Sequence, residues 1–166
     1  MKKLIFILMV GSLFGEVGIG LHLQSVPKIS IPIKFNKMII EPSIQYSLIK
    51  VEDPTLNFTD GQPQVYGQQS VSSSILLLGI YRSHQIFEKL HLLGGFNIGG
   101  RENKIVNSLY TDTDLITVLT FNLGFQYKLN SYCDLGYELV DEHYFSGTLK
   151  NGTSELTSNF IIRLYK

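Results

Sequence analysis

The chain has 166 residues and balances 14 Lys and Arg against 14 Asp and Glu. A formal net charge of zero argues against nucleic acid as a partner and against purely electrostatic attachment to a membrane. The lone Cys133 excludes an intrachain disulfide and any multi-cysteine metal site, while fifteen Gly, nine Tyr and ten Phe favour β structure over helix.

The chain opens on Met1-Lys2-Lys3, runs apolar from Leu4 to Val10 and stays small or apolar to Gly15. A basic start before a short apolar core reads as a secretory signal over residues 1–15, cleaved after Gly15. Glu16 ends the apolar run too early for a spanning helix, and no Cys follows it for lipoprotein processing. Residues 16–166 then make one domain, with no later apolar run of the roughly 18 residues a spanning helix needs.

Eight segments alternate well enough to be strands. The first, about Glu16 to Gln24, sets Val17, Ile19, Leu21 and Leu23 against Gly18, Gly20 and His22. The second, Lys28 to Phe35, sets Ile29, Ile31, Ile33 and Phe35 outward and Ser30, Pro32 and Lys34 inward. After an Asn36-Lys37 turn, the third runs from Met38 to about Val51, with Ile40, Ile44, Tyr46 and Leu48 opposite Glu41, Ser43, Gln45 and Ser47. Pro32 and Pro42 lack a ladder donor and are expected to mark bulges. The fourth segment, Ser70 to Arg82, is nearly all apolar from Ile75 to Tyr81. The fifth, Lys89 to Gly100, opposes Leu90, Leu92, Phe96 and Ile98 to His91, Gly95, Asn97 and Gly99.

The sixth segment, Asp114 to Lys128, carries the most information. Leu115, Thr117, Leu119, Phe121, Leu123, Phe125 and Tyr127 share one face; Thr120, Asn122, Gly124, Gln126 and Lys128 share the other, with Ile116 and Val118 as apolar exceptions. Alternation over about a dozen residues is roughly twice the usual soluble strand and matches a tilted bilayer crossing. The seventh, Tyr132 to Tyr144, opposes Cys133, Leu135, Tyr137 and Leu139 to Asp134, Gly136, Glu138 and Glu142. The eighth, Ser154 to Tyr165, opposes Leu156, Phe160, Ile162 and Leu164 to Thr157, Asn159 and Arg163.

Short connections (Asn36-Lys37, Ser83 to Glu88, Leu129 to Ser131) alternate with longer polar ones (Glu52 to Gln69, Arg101 to Thr113, Phe145 to Thr153), only Ser25 to Pro27 being brief on the long-loop side. Tight turns on one side and long loops on the other are the asymmetry of an outer-membrane barrel. An even strand number places both termini on the turn side, and closure removes the apolar edges that long strands expose. The expected fold is all-β: an eight-stranded antiparallel up-and-down transmembrane β-barrel after an N-terminal signal peptide.

These features resemble the small outer-membrane β-barrel domain family of Gram-negative bacteria. The matching stretches are Val17-Gly-Ile-Gly-Leu21, Ile31-Pro-Ile33, Ile40-Glu-Pro-Ser-Ile-Gln-Tyr46, Leu78-Gly-Ile-Tyr81, Leu123-Gly-Phe125, Leu135-Gly-Tyr-Glu138 and Phe160-Ile-Ile-Arg-Leu-Tyr165. The resemblance implies a bacterial outer-membrane location, with outer-membrane lipid and the barrel-assembly machinery as partners and no cofactor. Such barrels end on an aromatic in the lipid-facing set. Here Lys166 is last and Tyr165 is out of phase with Phe160, Ile162 and Leu164, which implies a local bulge or weaker recognition by that machinery.

Leu115, Leu119, Phe121, Leu123, Phe125, Phe160 and Ile162 are the expected lipid-facing residues. Eight strands enclose a lumen that side chains fill, which argues against a conducting pore. Lys34, Glu41, Glu138 and Arg163 face it by parity and are expected to pair there, because an isolated buried charge is very costly. The catalytic candidates are His143 and Ser146, followed by Glu155. They are similar to the Ser-His-Glu arrangement of outer-membrane lipid A deacylases, but that family places His and Ser two apart on one face, and here they are three apart. Tyr144 and Phe145 instead suit an aromatic girdle where the strand ends.

His22, His84 and His91 lack metal-ligand spacing, and Gly99-Gly100 lacks a phosphate-loop pattern. The triplets at Asn57 and Asn151 accept glycans only in a eukaryotic secretory pathway. Three functional readings follow: a non-enzymatic outer-membrane barrel with a structural or surface-binding role, a lipid A deacylase-type barrel enzyme, and a soluble lipocalin-like carrier with its apolar faces turned inward.

Overall fold

A computed structural model describes residues 15–51, 56–59, 62–65, 69–106, 111–146 and 152–166. The expected leader lies outside them except for Gly15. The described residues form β1 (Glu16–Leu23), β2 (Lys28–Ser30), β3 (Ile33–Phe35), β4 (Met38–Val51), β5 (Leu56–Thr59), β6 (Gln62–Val65), β7 (Gln69–Gln85), β8 (Leu90–Val106), β9 (Thr111–Lys128), β10 (Cys133–Ser146) and β11 (Gly152–Tyr165).

Nine of these strands build one sheet, in which β2 and β3 both lie between β1 and β4. They are two halves of one interrupted strand, so the wall has eight strands, each antiparallel to its neighbours. Pairing of β1 with β11, from Gly18↔Tyr165 to Leu23↔Phe160, closes the barrel. The fold is therefore the expected all-β, eight-stranded, up-and-down barrel.

The prolines interrupt the ladder without shifting it. Ser30↔Ser43 and Ile33↔Ile40 keep a single register across Pro32, and β4 pairs with β7 without a slip through Pro42↔Leu78. The expected bulges are absent because each proline loses only its donor. Gly18 N donates to Pro32 O at 2.9 Å and Ile31 N donates to Pro42 O at 2.9 Å. The register of β10 with β11 is also unbroken to Cys133↔Leu164, so no bulge rephases Tyr165.

The loops differ from expectation as well. β8 and β9 extend to Val106 and Thr111, so most of the expected Arg101–Thr113 loop is strand. Backbone pairing continues there after the apolar alternation has stopped, because ladder hydrogen bonds do not depend on side-chain polarity. Within the stretch expected as the longest loop, β5 and β6 pair as a hairpin from Leu56↔Val65 to Thr59↔Gln62. At the tight Asn36-Lys37 turn, Asn36 takes a φ of 53°, a left-handed value that Asn tolerates.

Among the described residues, 27 large hydrophobics are exposed and ten are buried, whereas the buried polar set includes Arg163, Glu41, Glu138, His22, Asn97 and Asn159. The barrel is apolar outside and polar inside. β7 explains its own lack of alternation: Leu76 and Leu78 face out while Ile75, Leu77 and Tyr81 face in and are buried.

Candidate functional site

The lumen is crossed by one hydrogen-bonded network to which every wall strand contributes a side chain. Strand alternation turns His22 of β1, Ser30 of β2, Glu41 of β4, Tyr81 of β7, Asn97 of β8, Asn122 of β9, Glu138 of β10 and Arg163 of β11 inward. Arg163 is the hub. Its Nε and Nη2 fork onto Glu41 at 3.2 and 2.6 Å, and Nη2 also donates to Glu138 at 3.2 Å. A planar guanidinium suits this bidentate task, and a lysine could not reproduce it.

Around Glu41, Ser30 Oγ donates at 2.5 Å and His22 Nε2 lies 3.1 Å away. Beyond Glu138, Asn122 Nδ2 donates to the second carboxylate oxygen at 3.1 Å. Asn97 Nδ2 donates to Asn122 Oδ1 at 2.9 Å and to Thr120 Oγ1 at 2.5 Å, while Tyr81 OH donates to Asn97 Oδ1 at 2.8 Å. The Arg163 guanidinium also sits 5.7 Å from the Tyr81 ring centre, which draws the two sides of the network together. Gly20 and Gly79 make room for it: a Cβ at Gly20 would strike Ser30 Oγ and Glu41 Oε1, and one at Gly79 would strike Asn97 and Tyr81.

Thus Glu41, Glu138 and Arg163 meet, but Lys34 does not join them. It lies nearer the turn end, 3.5 Å from Glu16 and 4.0 Å from Asp134, with its ammonium 5.0 Å from the Tyr165 ring centre. The sequence sets Ser30 inward and His22, Asn97 and Asn122 on the polar faces of their strands, but their part in the network, like that of Tyr81, depends on cross-strand register.

At the end opposite the tight turns a cavity of about 360 Å³ is lined by Arg101, Glu142, Tyr144, Glu155 and several hydroxyl and amide groups. Arg101 Nε donates to Ser73 and Asn103, each at 2.9 Å, and its guanidinium lies 5.5 Å from the Tyr144 ring centre. Tyr144 donates to Glu142 and packs on Ile75, Leu77 and Val118. It therefore faces inward, correcting its place in an outer aromatic girdle. The strand continues past it, so Tyr144 and Phe145 must take opposite faces.

Among the catalytic candidates, His143 and Glu155 do not converge. His143 is on the outer face, 3.0 Å from Asp141 and edge-on to Phe121 at 5.9 Å. Ser146 is the last residue of β10, and its side chain lies outside the described ones. Glu155 pairs in register with Glu142 and lines the inner cavity, away from His143. A Ser-His-acid relay needs its nucleophile and base in hydrogen-bond reach.

On the outer face, Leu115, Phe121, Leu123, Phe125 and Phe160 are exposed, while Leu119 and Ile162 are half-buried among their neighbours. Cys133, opposite Leu164, is half-buried on the same outer face.

No protein-family model and no curated protein sequence matches the chain. Among solved structures, Neisserial surface protein A aligns with a TM-score of 0.54 at 9% identity, over 92% of this chain and 94% of that one. The attachment invasion locus protein Ail of Yersinia pestis aligns at 0.46 with 12% identity, over 92% and 98%. Its complex with the heparin analogue sucrose octasulfate aligns at 0.48 with 13% identity, over the same shares. The likeness to Neisserial surface protein A is one of fold, and that fold is the small closed barrel to which the chain's own motifs point.

Proposed function

We propose that the chain is a non-enzymatic bacterial outer-membrane β-barrel protein, with a lumen blocked by side chains and a structural or surface-binding role carried by the end opposite the tight turns. The supporting observation is the inverted distribution of polarity: a closed wall with an exposed apolar belt around a charged, hydrogen-bonded interior. In water, an exposed apolar surface of this extent is an aggregation liability. In a bilayer it is the required outer face, and closure satisfies every wall strand's backbone without leaving an edge.

A lipocalin-like carrier needs the opposite arrangement, an apolar lumen for an apolar ligand. Acyl transfer by His143, Ser146 and Glu155 is disfavoured because His143 packs on the outer face and Glu155 lines the inner cavity. The even strand count sets the tight turns and both ends of the wall on one side; in this reading that side is the periplasm, and the loops at the other end meet the exterior. Outer-membrane lipid is then the partner of the apolar belt, and the barrel-assembly machinery is the partner during insertion.

Gel electrophoresis of detergent-extracted envelope fractions tests this reading. A folded closed barrel migrates differently before and after boiling, and that heat-dependent shift is the expected result. Recovery of the full chain as a soluble periplasmic protein without such a shift would contradict the proposal.

A further inference from the structure

The barrel end that carries the tight turns holds a second cavity, of about 200 Å³, and its lining is of a single charge sign. Lys34, Lys37, Lys128 and His91 surround it together with the amides of Gln85 and Gln126, and no carboxylate lines it. Lys34 shares its charge with Glu16 and Asp134. Asp134 stands in register beside Lys128 but is buried and taken up by Gln126 and Lys34. Among the described residues, Lys37 and Lys128 have no carboxylate within 4.0 Å.

The Lys37 backbone and the His91 ring are anchored at this mouth. Ser83 N donates to Lys37 O at 2.7 Å, which ties the Asn36-Lys37 turn to the β7 end, and Ser83 Oγ lies 3.1 Å from His91 Nδ1. Cations converging in a mouth with low-dielectric walls focus their field on the space between them. Ammonium groups offer rotatable donors, and side-chain amides add neutral ones, a donor-rich set matched to an acceptor-rich ligand.

We propose that this cavity binds a small oxyanion, namely inorganic phosphate or the phosphate of a phosphate ester. The proposal needs only the closed barrel end and not its membrane setting. Its volume admits such a group, while the Arg163 network beyond it fills the way inward.

The test titrates inorganic phosphate into the folded full chain in neutral detergent at constant ionic strength, following the amide resonances of Gln126 and Lys128. Saturable one-site binding is expected. Lys128→Gln should weaken it by roughly tenfold or more, as loss of a charge contact does, while Lys128→Arg should retain it. Arg101→Gln, at the opposite mouth, should leave it unchanged. Each variant's fold is checked by its heat-dependent mobility, and Lys37→Gln in the exposed turn gives the same reading should Lys128→Gln not fold. Non-saturating shifts, or equal affinity in a folded Lys128→Gln or Lys37→Gln variant, would overturn the proposal. Repeating the titration in phosphatidylcholine and phosphatidylglycerol nanodiscs separates two sources of the same chemistry. Competition by the anionic lipid assigns the site to a headgroup, and its absence assigns it to a dissolved anion.

Discussion

Arg163 is 1% exposed and holds two carboxylates, Glu41 and Glu138, that are as deeply buried as it is. Removing one partner of a buried ion pair leaves an uncompensated charge and costs about 3–5 kcal/mol, whereas removing all partners together costs far less. Arg163→Met should therefore lower the urea midpoint of the folded barrel substantially. Adding Glu41→Leu and Glu138→Leu should recover most of the loss. A midpoint unmoved by Arg163→Met would mean that the network does not hold the lumen. Gly20→Val gives an independent check, because its side chain would displace Ser30 and Glu41. Reduced stability is expected, read by the same urea curve.

At the scale of the strand, the outer face of β9 makes a sharper demand. Leu123 is 57% exposed, while Leu119, cross-strand from His143 and Ile98, is half-buried. Leu123→Arg near the bilayer midplane should cost about 2–4 kcal/mol of folding into vesicles. Unchanged folding yield would place this face away from lipid. Pro42 allows a test of the ladder: its carbonyl accepts from Ile31, but it has no hydrogen to return. Pro42→Ala supplies that donor without altering the register, so the amide at position 42 should be protected in hydrogen exchange. Rapid exchange there would contradict the continuous pairing of β2 with β4.

Strand alternation made much of this legible. β9 is visible from its sequence because one of its faces is uniformly apolar, and Glu41, Glu138 and Arg163 follow from the same parity. β7 is obscure because Ile75, Leu77 and Tyr81 fill the lumen while Leu76 and Leu78 cover the outside, so both faces are apolar. The extensions to Val106 and Thr111 leave no periodic trace. The partners of Arg163 could not be assigned from the chain alone, since two inward residues meet only when the register between strands is known. Lys34 shows the limit: it has the right face but sits nearer the turn end than the network.

The whole molecule is a tube whose apolar surface and polar core are exchanged relative to a water-soluble barrel. This inversion is the central claim, and nuclear Overhauser contacts to the backbone amides in lipid nanodiscs test it most directly. Amides at Ile44, Leu76, Ile98, Leu123 and Leu139, each bearing an exposed apolar side chain, should show cross-peaks to acyl-chain protons and none to water. Water cross-peaks at those five positions without acyl contacts would contradict the account.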